Sequence, residues 1–131
     1  MEHPQDQQMS RDGKTRFGIL APVMWGLTIW VLSSLPSDSL DPPSIIGFDK
    51  IAHFGVYLIL GLLTNRAVKG RKLSKAVVIL IYALLLLNAA IDEYHQNFIP
   101  GRSVSVWDLA ANSTGLLTGF VIGWFRRDLH T

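Results

Sequence analysis

The chain has 131 residues, 49% of them hydrophobic and 17% charged, with a formal net charge of +2 and no cysteine. A charged fraction below the roughly 25% of ordinary soluble domains, with a mean hydropathy of +0.29, makes membrane insertion the first question. Without cysteine there are no disulfides, thiolate metal sites or thiol nucleophiles. The basic residues lie between apolar runs and form no stripe along one helix face, which excludes a nucleic-acid partner.

In chain order, residues 1–16 read as a polar N-terminal tail, with residues 1–12 expected to be unstructured. Residues 17–35, FGILAPVMWGLTIWVLSSL, carry no charge and are long enough for a transmembrane helix. Pro22 predicts a kink near its start. The Pro- and Ser-rich stretch PSDSLDPPSIIGF reads as a loop. Three further uncharged runs follow, between Lys50 and Arg66, Lys75 and Asp92, and Asp108 and Arg126. As helices they measure only about 22–26 Å. Against a hydrocarbon core of about 30 Å, their polar flanks must dip into the membrane edge or the bilayer must thin. KGRKLSK reads as a tight basic turn between spans two and three. In IPGRSVS, Pro100 and Gly101 suit the central positions of a type II turn.

The expected fold is an all-α membrane protein, a four-helix transmembrane bundle occupying residues 17–127. A soluble helical bundle fits less well, because AVVILIYALLLLNAAI is apolar on every face. A cleaved signal sequence at span one is disfavoured by the length of its uncharged run. Of the twelve Lys and Arg residues, all but Lys50 and Arg102 fall before span one, between spans two and three, or after span four. The positive-inside rule then places both termini in the cytoplasm, and the protein is expected in the inner (cytoplasmic) membrane.

That topology gathers the conspicuous polar residues at three helix ends on one side. Asp49, His53 and Tyr57 are spaced four apart on helix two, and Asp92–Gln96 and Asp108–Asn112 repeat that spacing on helices three and four. Asp49 and Asp108 also suit the first turn of a helix, and Ser105 to Asp108 reads as a capping box. Asn112, Gly115 and Gly119 share a face that suits close packing. Trp30, Trp107 and Trp124 read as interface anchors. Asp92 and Glu93 are different, because a helix C-terminus disfavours acids. Arg102, on the next turn, is the expected partner of Glu93, and the two are expected to act as one unit. His53 is expected to face the bundle interior.

These segments, DKIAHFGVY at 49–57, DEYHQ at 92–96 and GRSVSVWDLAANSTG at 101–115, together resemble the VanZ-like membrane proteins. The family pattern matches at Asp49, Lys50, His53, Tyr57, Asp92, Glu93, Gln96, Gly101, Arg102, Asp108, Asn112 and Gly115. The family is named for a protein associated with low-level teicoplanin resistance, so the resemblance implies a link to the cell envelope and to glycopeptide tolerance.

Two function classes follow. In the first, the protein binds or modulates an envelope component such as a lipid head group, a peptide or a glycopeptide. Arg102 and Lys50 would contact anionic groups, and Gln96, Asn112 and Tyr57 would supply hydrogen bonds, beside Asp49, Asp92 and Asp108. In the second, an intramembrane hydrolase or transferase acts on a lipid-linked substrate. Glu93 or His53 would be the base, and Arg102 would stabilise developing charge. Neither G-x-S-x-G nor HExxH is present. His53, His95, Asp92 and Glu93 are metal-ligand types, but their spacing matches no standard signature, so no metal and no cofactor is assigned. A transporter is disfavoured in a chain this small.

Overall fold

A computed structural model describes residues 3–36, 48–69 and 71–128. They form four helices, α1 (Pro4–Ser33), α2 (Phe48–Lys69), α3 (Lys75–His95) and α4 (Val106–Asp128), with a 3-10 turn at Gln96–Phe98 after α3. No strand occurs among the described residues. Of the expected loop between spans one and two, residues 37–47, including Asp38 and Asp41, lie outside the described residues.

Helix α1 starts well before its apolar run, so the expectation of an unstructured tail is corrected: the chain is helical from Pro4. Pro4 lies in the first turn, where its missing N–H leaves no bond unmade, and Asp6 faces the positive end of the helix. Gln5, Gln7, Gln8, Met9 and Arg11 are good helix formers that carry the helix toward the apolar segment. Pro22 lies inside α1, which continues through it.

The other boundaries follow local chemistry. Ser74 caps α3, its Oγ accepting from the Val77 N–H at 3.3 Å. After the 3-10 turn, the Arg102 N–H donates to the Ile99 carbonyl at 3.1 Å. Gly101 there has φ 75°. Pro100 and Gly101 therefore hold the centre of a type II turn, where the second position requires positive φ.

Two segments, α2 and Lys75–Phe98, are long and apolar enough to cross a membrane, and Gly18–Ser33 adds a shorter apolar stretch. Asp108, Asn112 and a run of Ser, Thr and Gly dilute the apolar character of α4. Ile79, Leu80, Leu84, Leu87 and Ile91 on α3 are each more than half exposed. An apolar face of that extent suits lipid better than water.

α2 and α4 form the closest pair, with α1 against α2 and α3 against α4. Glycines permit the approach. A Cβ on Gly61 would lie 2.7 Å from the Leu116 carbonyl oxygen, and one on Gly119 would lie 2.8 Å from the Gly61 Cα. Asn65 reinforces the seam by donating to the Gly119 carbonyl at 3.0 Å. α3 reaches α2 through a long side chain, the Tyr82 hydroxyl donating to the Gly61 carbonyl at 2.6 Å. Tyr82 packs edge-on against Phe120, and Phe120 packs against Trp124. Trp124, expected as an interface anchor, thus packs against the core.

Candidate functional site

The antiparallel arrangement brings the ends of α1 and α3 and the starts of α2 and α4 to one end of the bundle. The polar residues singled out above gather there as three linked groups. Lys50 bridges two aspartates, its Nζ 2.6 Å from Asp49 and 2.8 Å from Asp108. It thereby ties the first turn of α2 to that of α4.

One turn deeper, His53 Nδ1 lies 2.8 Å from Asn112 Oδ1, and His53 Nε2 lies 4.0 Å from Asp108. The ring is oriented from both sides and faces the interior, as expected. Asn112 is fully buried, and its amide nitrogen has no partner.

The third group joins α2, α3 and α1. The Tyr57 hydroxyl donates to Asp92 at 3.3 Å, and the Ser33 hydroxyl donates to the other oxygen of Asp92 at 2.5 Å. Asp49, His53 and Tyr57 therefore form one stripe by spacing but not one surface. Asp49 stays at the exposed start of α2, His53 meets α4 and Tyr57 meets α3.

Glu93 and Arg102 do not pair, which corrects the expectation that Arg102 is the partner of Glu93. One oxygen of Glu93 accepts the backbone N–H of Ser105 at 2.8 Å, just ahead of α4. Asp108, engaged by Lys50, leaves that amide to Glu93. The carboxylate disfavoured at the C-terminus of α3 thus lies at the favourable N-terminus of α4. Its other oxygen is buried without a partner. Arg102 turns to α1, donating to the carbonyls of Leu35 at 3.0 Å and Leu32 at 3.3 Å. It closes the carbonyl end of that helix.

A cavity of about 170 Å³ opens among these groups, lined on its polar side by Ser33, His53, Tyr57, Asp92, Gln96 and Arg102. Gln96 is 2% exposed, and its amide nitrogen has no partner. The cavity wall thus offers a buried donor, an oriented imidazole and a carboxylate. Among the described residues, no three acids or histidines converge in a way that would hold a metal ion. His95 stacks on Trp30 with ring centroids 5.2 Å apart.

With this geometry in view, the sequence profile of the family described as VanZ/LLP1 matches residues 3–127. The chain belongs to the VanZ/LLP1 family. No curated protein and no solved structure matches the chain significantly. The residues that carry the VanZ-like pattern converge on the polar end of the bundle, some lining the cavity and others bracing it. Ser33 and the α1 carbonyls were not anticipated from the sequence. The available signal was the polar pair Ser33-Ser34 closing an otherwise apolar span at the level where α3 becomes acidic.

Proposed function

We propose that this VanZ-family protein binds the polar part of a cell-envelope component at the outer face of the cytoplasmic membrane. In this reading the chain crosses the membrane four times, with both termini inside and residues 17–127 as its membrane domain. The distribution of Lys and Arg supports that orientation, and it turns the polar end outward. The ligand is a lipid head group, a peptide or a glycopeptide, and its capture modulates tolerance of glycopeptide antibiotics.

The observation that carries this reading is the cavity lined by Gln96, whose buried amide nitrogen lacks a partner. An unsatisfied buried donor costs about 1–3 kcal/mol. A ligand oxygen placed there would recover part of that cost. Arg102 and Tyr57 at the wall suit an anionic, hydrogen-bonding ligand group, and Asn112 holds the lining His53 in place.

The test uses Gln96→Ala and Asp92→Asn, with membrane abundance measured beside teicoplanin susceptibility and the envelope phenotype of a deletion strain. Both variants are expected to reach normal abundance and to fall to the deletion phenotype. Wild-type behaviour from well-expressed variants would remove the cavity from consideration.

A second reading, an intramembrane hydrolase or transferase acting on a lipid-linked substrate, draws on one specific feature. His53 is held by Asn112 and faces Asp108, an orientation suited to proton transfer. Catalysis would show as consumption of lipid-linked substrate in molar excess over protein, lost in His53→Ala. A binding protein would only saturate.

A further inference from the structure

A second pocket lies between α2 and α4, toward the end of α2 opposite the polar cavity. It shares no lining residue with that cavity. It has a volume of about 500 Å³, and Arg66, Lys69 and Arg126 line it together with Leu62, Leu63 and Ile122.

We propose that this pocket binds an anionic diacyl phospholipid, its phosphate held by Arg66, Lys69 and Arg126 and an acyl chain lying on Leu62, Leu63 and Ile122. Cations are favoured at helix C-termini in any protein, and α2 does end in Arg66 and Lys69. What distinguishes this group is the volume it encloses and its layering. Leu62 lies one turn below Arg66, and Ile122 one turn below Arg126. The cations thus stand about 6 Å above an apolar floor. That arrangement complements a charged head group over a hydrocarbon chain.

Charge balance points the same way. No acid lines the pocket. Among the side chains that the structure describes, no carboxylate forms an ion pair with Arg66, Lys69 or Arg126. The back wall is firm, because Asn65 donates to the Gly119 and Phe120 carbonyls at 3.0 and 3.3 Å. Gly123 leaves room for the Asn65 amide, and a Cβ at Gly123 would overlap it. The volume falls within the roughly 300–1,000 Å³ of ligand sites. Basic pockets between membrane helices hold anionic head groups by this chemistry.

The experiment places the full-length protein in nanodiscs of equal parts phosphatidylglycerol and phosphatidylcholine, then measures by native mass spectrometry which lipid remains bound on release. Wild type is expected to retain phosphatidylglycerol preferentially. The preference should fall about fivefold for each cation removed in Arg66→Gln and Arg126→Gln, and stay unchanged in Lys72→Gln, a basic residue outside the pocket. Equal loss in Lys72→Gln would mean general surface charge and would overturn the site. Displacement of the lipid by inorganic phosphate alone would overturn the lipid assignment in favour of a free-phosphate site. The wild-type measurement stands without the variants: no enrichment there refutes the proposal even if Arg66→Gln fails to fold.

Discussion

Glu93 shows how a residue unfavourable in its own helix becomes favourable through a neighbouring one. It is 2% exposed and accepts the Ser105 N–H ahead of α4, while Arg102 binds the last carbonyls of α1. Glu93 lies in the last turn of α3 and Arg102 in the turn that follows it, yet the two serve different helices. Glu93→Ala should destabilise the protein by about 1–3 kcal/mol, because a part-buried N–H loses its charged acceptor. Arg102→Ala should cost a comparable amount by uncovering the end of α1. The double variant should be additive to within about 0.5 kcal/mol, as for sites without a shared partner. Denaturant unfolding in detergent would measure all three; a coupling well above that value would mean that the two side chains do act together.

At the level of elements, the α2–α4 seam depends on residues with no side chain. Gly119 leaves no room for a Cβ beside Gly61, whereas Gly26 on α1 has nothing within 4 Å of one. Gly119→Ala should push the helices apart and cost about 1–3 kcal/mol. Gly26→Ala should be neutral or stabilising by up to about 1 kcal/mol, because alanine is the better helix former. Thermal unfolding of the two variants makes the comparison, and equal effects would show that the seam tolerates separation. The shared face of Asn112, Gly115 and Gly119 was legible as a packing surface from its spacing. Its partner was not, because periodicity names a face and never the helix it meets.

For the whole molecule, orientation is the property most open to a direct test. The chain has no cysteine, so single introduced cysteines report unambiguously. Ser103→Cys, in the turn between α3 and α4, should react with a membrane-impermeant thiol reagent in intact cells. Lys72→Cys, between α2 and α3, should react only after permeabilisation. Lys72 is preferable to its neighbour Ser74, whose hydroxyl caps α3. Labelling of Lys72→Cys from outside would invert the topology, turning the polar cavity to the cytoplasm and the basic pocket outward.

By itself the sequence determined that the chain is helical, that it carries long apolar segments and that its acids, amides and histidines concentrate at helix ends. Those properties follow from local quantities: run length, charge spacing and turn chemistry at Pro100 and Gly101. It did not determine the start of α1, because polar helix formers such as Gln7 and Gln8 are equally at home in an exposed tail and in a solvated helix turn. Only the tertiary structure decided that Lys50 ties Asp49 to Asp108, that His53 faces Asn112 while Tyr57 faces Asp92, and that Ser33 completes the cavity. Each of these pairs joins residues on different helices, and hydrogen bonds form between atoms about 3 Å apart. Whether such atoms meet depends on how the helices are rotated and set in depth against one another. The glycine seam and the long tyrosines set those relations, and no local window of the sequence contains them.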